Sequence, residues 1–267
     1  MLRRFSTLLL ALSATLCVDA QGNDFGMDYS LEATKKLGSR MDFSIEGEAR
    51  TQDNTRQIER WTLGGTFGVK LYDTRKFSLK ASAGWKYMWK YNLTERNAKY
   101  DDDDSTYKGY NKVLASWRHR HRTSVALSAS YKPNKRWTFQ LKETFQYTHS
   151  AEDSTMTYRY RLKTVNGAET LYLKDTRSKV YSPNDKMVLR SKLTVSYNIR
   201  HLPLEPFASV DYGCGLNYST NKWKFTVGTD YKLLKKHKFT VFYRYITEDD
   251  DEEPNGHLIG LGYGFKF

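Results

Sequence analysis

The chain closes on a strict alternation. His257, Ile259, Leu261, Tyr263, Phe265 and Phe267 take every second place, with Gly260, Gly262, Gly264 and Lys266 between them. A period of two sends these two sets to opposite faces of a β-strand. The same pattern sets Trp61, Leu63, Phe67, Val69 and Leu71 against Arg60, Thr62, Gly64, Thr66, Gly68 and Lys70. It sets Phe77, Leu79, Ala81, Ala83, Trp85, Tyr87, Trp89 and Tyr91 against Ser78, Lys80, Ser82, Gly84, Lys86 and Lys90. Further copies occupy 113–132, 137–149, 186–200, 206–219, 222–232 and 237–247, with weaker ones over 26–35 and 40–51. No helical segment intervenes, and Pro133, Pro183, Pro203, Pro206 and Pro254 all fall in expected turns or loops, where a missing ladder N–H does no harm.

Connection lengths alternate. Tight turns are expected at 72–75, 133–136, 201–206 and 233–237, and long loops near 92–112, 150–185 and 248–256. Short turns on one side and long loops on the other, joined by strands that are apolar outward and polar inward, describe a transmembrane β-barrel. The expectation is an all-β, antiparallel up-and-down barrel with short periplasmic turns and longer extracellular loops. Eleven spanning strands can be counted, and because single-chain bacterial barrels usually have an even number, one weak N-terminal strand is misjudged or one is missed, and the expectation within 10–12 is ten or twelve. Within 150–185, residues 158–165 and 170–174 flank Asn166-Gly167, so this loop is expected to fold as a ribbon above the membrane. Trp61, Trp85, Trp89, Trp137 and Trp223 are expected to form the lipid-facing aromatic girdle.

The N-terminus places the barrel. Arg3 and Arg4 precede the apolar run 8–16, and Val18-Asp19-Ala20 ends the segment, so residues 1–20 read as a cleaved Sec signal peptide and 21–267 as one barrel domain. A final aromatic, Phe267, is what the barrel-assembly machinery commonly reads. Cleavage removes Cys17 and leaves Cys214 as the only thiol, which excludes an intramolecular disulfide. Aromatic residues make up 15% of the chain despite a low mean hydropathy, a combination that strands with one polar face produce. The formal charge of +13 becomes +12 once Arg3, Arg4 and Asp19 are lost. Behind a signal peptide this charge meets outer-membrane lipid, lipopolysaccharide or an anionic solute rather than nucleic acid.

Candidate chemistry lies on the polar parity. Residues 113–132 are longer than the roughly 9–11 needed to cross a bilayer, so their first half is expected to project beyond it. There Arg118, Arg120 and Arg122 share the lumen face, forming a basic ladder with Lys80, Lys86, Arg190 and Lys192 from other strands. Such a ladder either attracts anions or pairs with lumen carboxylates, and Asp42, Glu46 and Glu48 are the expected acidic partners. His119 and His121 share the opposite face and read as interfacial rings more readily than as metal ligands. The acidic runs 101–104 and 248–253 lack EF-hand spacing and read as solvated loop tips. Glu143 stands on the apolar parity among Phe139, Leu141 and Phe145, where either a β-bulge that turns it inward or a partner contact would account for it, the bulge being expected.

His-Glu-x-x-His, Gly-x-Ser-x-Gly, a phosphate-binding Gly-rich loop and a zinc-type Cys pair are all absent, so no catalytic residue, metal or cofactor is assigned. Arg190 to Asn198, Pro206-Phe207-Ala208-Ser209-Val210, Phe225 to Leu233, Val241-Phe242-Tyr243-Arg244-Tyr245 and His257 to Tyr263 together resemble the bacterial outer-membrane proteins grouped as domain of unknown function 2490, found mainly in Bacteroidetes. That resemblance implies an outer-membrane barrel over about 26–267 and no established activity. The functional expectation is a non-enzymatic outer-membrane protein, either a structural or binding barrel or a narrow anion-preferring channel. The alternatives are an outer-membrane hydrolase with its site at the rim and a soluble periplasmic barrel around an apolar ligand. Oligomeric state is not readable.

Overall fold

The computed structural model describes residues 24–101, 106–165, 168–218, 221–234, 236–248 and 256–267. The leader, Asn166-Gly167 and most of the two acidic runs lie outside the described residues. Eleven strands close into one barrel: β1 (Asp24–Leu37), β2 (Met41–Gln52), β3 (Gln57–Asp73), β4 (Phe77–Asn92), β7 (Ser116–Tyr131), β8 (Trp137–Ser150), β11 (Asn184–Tyr197), β12 (Leu204–Gly215), β13 (Asn221–Leu233), β14 (His237–Glu248) and β15 (Gly256–Lys266). The other four, β5 (Glu95–Tyr100), β6 (Tyr107–Val113), β9 (Asp153–Val165) and β10 (Ala168–Tyr181), make a separate sheet in the order β10-β9-β6-β5. It stands at the end of the barrel that carries the long connections.

An odd number of up-and-down strands forces the first and last to run the same way. The barrel accordingly closes through a parallel seam, from Asp24↔Gly256 to Thr34↔Lys266, while every other ladder is antiparallel. The connections β1–β2, β3–β4, β7–β8, β11–β12 and β13–β14 share one end, the turn end, where the Phe267 N–H donates to the Thr34 carbonyl at 2.9 Å, whereas the short β2–β3 connection lies at the other end. Asp24 begins β1 at the opposite, loop end.

Packing is the inverse of a soluble domain. Buried positions are mainly polar or charged, among them Asp28, Arg50, Glu59, Arg60 and Lys90, whereas Leu31, Leu63, Val125, Leu141 and Val227 are exposed. The girdle residues Trp61, Trp85, Trp89, Trp137 and Trp223, with Trp117, are all exposed on the outer surface. A soluble barrel around an apolar ligand needs the reverse arrangement, so that expectation is overturned. The outer surface carries an open apolar furrow of about 910 Å³, lined by Gly47, Ala49, Trp61, Leu63, Leu261 and Tyr263 among others.

Four local expectations change. The chain breaks between β6 and β7, so β7 is 16 residues long, no longer than β4. Residues 92–112 contribute β5 and most of β6 instead of remaining a loop, because β6 joins the backbone ladder of β9 and β5 joins that of β6. Pro206 lies inside β12 opposite Thr229 rather than in a turn. No bulge turns Glu143 inward: β8 runs in unbroken register with both neighbours, and Glu143 faces out beside Ser191.

Candidate functional site

The lumen wall is built by even-numbered side chains on ten strands and by odd-numbered ones on β12, and glycines decide who meets whom. On β3, Gly64 and Gly68 leave gaps in the wall; a Cβ at Gly64 would lie 2.7 Å from Lys86 Cγ, and one at Gly68 2.7 Å from both Lys80 Nζ and Asp42 Oδ1. Lysines of β4 therefore cross over β3 to reach the acids of β2. Lys80 donates to both oxygens of Asp42 at 2.7 and 2.8 Å, and Lys86 pairs with Glu46. Glu48 accepts from Arg60 at 3.1 Å. The expected pairing of these three acids with Arg118, Arg120 and Arg122 is thus corrected: nearer cations hold them.

The arginine ladder engages other groups. Arg118 lies over the Tyr181 ring at 4.5 Å, and Arg122 Nε donates to Thr148 Oγ1 at 3.0 Å. Arg190 makes a bidentate pair with Asp211, and Lys192 stands in register between Lys142 and Asp211.

One hydrogen-bonded row runs across the wall through Phe207, Gly228, Phe242, Gly260, Asp28, Arg50, Arg60, Lys90 and Arg118. Half of it is aromatic: Gly228 and Gly260 supply the clearance that lets Phe207 and Phe242 lie against the wall. The other half is ionic. Asp28 Oδ2 accepts from Arg50 at 3.1 Å and from Arg244 at 3.2 Å, and Arg244 also stacks over Phe242 at 4.5 Å. Arg50 lies 3.5 Å from Glu48 and 3.8 Å from Glu59, and Arg60 lies 3.7 Å from Glu59. Glu59 reaches this cluster because the ladder slips at Arg50/Thr51, so its odd number does not send it outward. Parity alone hid Glu59, and the polar context of Phe207 and Phe242 hid the aromatic part.

Two of the lumen cavities among the described residues share no lining residue. The one nearer the loop end, about 90 Å³, is lined by Arg120, Arg122, Lys186, Arg190, Lys222 and Lys224, with Asp211 as its carboxylate. The one at the turn end, about 660 Å³, is lined by Lys36, Lys70, Lys80, Lys142, Lys238 and Lys266 against Glu32, Asp42 and Glu46. Cations outnumber acids in both.

On the outer surface, His119 Nδ1 shares a 2.6 Å hydrogen bond with the Tyr87 hydroxyl, and His121 stacks on Trp85 at 5.8 Å. These are ring contacts on the outer surface. At the loop-end rim, His149 Nδ1 and Asp185 Oδ1 are 2.6 Å apart.

In the four-stranded sheet, Asp175 accepts from Arg159 Nε at 2.5 Å and from Arg177 Nε at 3.1 Å. Partial burial pushes the Asp175 carboxyl up, but the two guanidinium hydrogen bonds win and hold it below its ordinary value. A depressed carboxylate stabilises above its unfolded value and loses that contribution as pH falls through the folded value. The protection of β10 amides, measured as exchange relative to the intrinsic rate at each pH, is therefore expected to fall on acidification below about pH 4, the ordinary aspartate range, and Asp175→Asn should remove that dependence. Unchanged acid sensitivity in Asp175→Asn would contradict this assignment.

No protein-family model matches the chain, and no curated protein does. Among solved structures, the β domain of the Bordetella autotransporter Brka aligns at 10% identity with a TM-score of 0.41, over 91% of this chain and 95% of that one. The Pseudomonas putida toluene transporter TodX aligns at 11% identity with a TM-score of 0.40, over 88% and 77%.

Proposed function

We propose that this chain is an outer-membrane β-barrel that passes or holds small anionic solutes and performs no catalysis. The observation that carries the reading is the cation excess in the loop-end and turn-end lumen cavities. A low-dielectric wall lined by one sign of charge concentrates counter-ions. At eleven strands the lumen is narrow, and its side chains fill much of it. The apolar, tryptophan-bearing outer surface suits hydrocarbon and its interfaces.

The test is single-channel recording of the refolded chain in a planar bilayer under a salt gradient. Discrete steps with an anion-selective reversal potential are expected. Replacing Arg120, Arg122 and Lys222 together with Ala should move that potential toward zero, as loss of cavity charge requires. Cation selectivity in the unmodified barrel would sink the proposal. Silence would leave holding but not passage, to be decided by equilibrium dialysis against inorganic phosphate.

One observation favours a rim hydrolase instead, the His149–Asp185 pair at 2.6 Å, since a carboxylate on Nδ1 orients an imidazole as a general base. Ester turnover by the refolded protein that disappears in His149→Ala would establish it.

A further inference from the structure

The turn-end cavity is short of acid. Every cation that lines it is a lysine, whereas Arg120, Arg122 and Arg190 make up half of those at the loop end. Asp42 is the register partner of Lys36 across β1 and β2, yet both its oxygens accept from Lys80. Asp211 is likewise the register partner of Lys192, yet both its oxygens accept from Arg190. Glu46 is taken by Lys86. Among the described residues, no carboxylate lies within 4.0 Å of Lys36, Lys142, Lys192 or Lys266. Of the acids lining the cavity, that leaves Glu32, which accepts from Thr34 Oγ1 at 3.1 Å. Lys142 and Lys192 stand directly opposite each other in the β8–β11 ladder, and Ser128 flanks Lys142 on its other side. Like charges directly opposite destabilise a ladder, and an anion resting over the pair removes that cost.

Resting on the anionic-solute reading above, we propose that the turn-end cavity is a binding site for multiply charged phosphates, with Lys142 at its centre. A lysine ammonium is a compact point charge with three rotatable donors, so it meets a tetrahedral oxyanion from any side, where an arginine fork demands a two-oxygen edge. Ser44, Ser78, Ser82, Ser128 and Ser130 line the same cavity and set O–H donors among the lysines. A monovalent anion neutralises one of these ammonium groups. An anion with several charges and many oxygens neutralises Lys142 and Lys192 together and still has acceptors for the serines. The volume, about 660 Å³, holds a phosphorylated sugar as readily as pyrophosphate.

The experiment is equilibrium dialysis of the refolded full barrel in zwitterionic detergent against radiolabelled pyrophosphate, with folding of every variant verified by heat-modified gel mobility. The parent should bind saturably, and acetate at equal ionic strength should not displace the label. Lys142→Ala should weaken binding about tenfold, the loss of a charged hydrogen-bond donor. Lys142→Arg, which keeps the charge, should retain most of the affinity. Arg96→Ala removes one positive charge from the four-stranded sheet, where Arg96 lies over the Tyr110 ring, and should change the affinity by no more than about twofold. The double variant Lys36→Ala, Lys266→Ala supplies an independent loss at the same cavity, so the proposal does not hang on the folding of one variant. Displacement by a hexose bisphosphate would assign the site to organic phosphates, and its failure to inorganic ones. A folded parent that binds no pyrophosphate, displacement by acetate, or an unchanged affinity in Lys142→Ala overturns the site. A barrel that is anion-selective in the bilayer yet binds no pyrophosphate loses this site and keeps the anionic-solute reading, whereas cation selectivity sinks that reading itself.

Discussion

Asp28→Ala is expected to destabilise the barrel by about 3–5 kcal/mol, the cost of removing one partner from a buried ionic group. The Asp28 side chain is 6% exposed, and it accepts from Arg50 and Arg244, which are 4% and 20% exposed. Its loss strands two guanidiniums inside the wall, with Glu48 and Glu59 left to balance Arg50, Arg60 and Arg244. Asp28→Asn, which preserves an acceptor, should lose less. The Asp28→Ala, Arg244→Ala double variant should lose less than the sum of its parts, because the second change removes a charge that the first left uncompensated. Urea titration in vesicles, followed by tryptophan fluorescence, measures each value. An Asp28→Ala barrel within about 1 kcal/mol of the parent would show that the cluster relaxes around the missing carboxylate.

The second large effect is on the outer surface. Val227 sits midway between Trp223 and Tyr231 on β13 and is 47% exposed. Arginine at the midplane of a bilayer costs about 2–4 kcal/mol, whereas on a water-exposed surface the same change is worth within about 0.5 kcal/mol. Val227→Arg should therefore lose stability in vesicles of ordinary thickness, and a neutral result would remove the membrane from the account.

Much of this architecture was legible in the residue pattern, and the reason is geometric. A strand period of two is local, so the alternation at 60–71 or 257–267 announces strand and facing without knowledge of any partner. Eleven spans can be counted from the same signal, but the even-number rule moved the expectation to ten or twelve, and the barrel has eleven. What alternation does not carry is which lumen groups meet. Asp42 and Glu46 found Lys80 and Lys86 because glycines on β3 clear the way between β2 and β4, a feature visible only once register is known. Glu59 was hidden by a one-residue slip in the ladder, and β5 and β6 by sequences whose order depends on a ribbon more than forty residues away. Glu143 is the instructive opposite: its parity was plain, and the preference for a corrective bulge came from the rule that carboxylates avoid lipid rather than from the residues around it.

The parallel seam also governs how the chain can be rewired. In a barrel with an even strand number, first and last strands run in opposite directions, and a short turn suffices to join them for circular permutation. Here β1 starts at the loop end and β15 finishes at the turn end, so a join from Phe267 to Asp24 must travel the length of eleven paired residues, about 36 Å along the strand. A permuted barrel would have to thread that linker through a lumen already occupied by Lys266, Phe242 and Arg244, or around the lipid-facing wall. Epitopes attached before Asp24 and after Phe267 would likewise be read from opposite sides of the membrane.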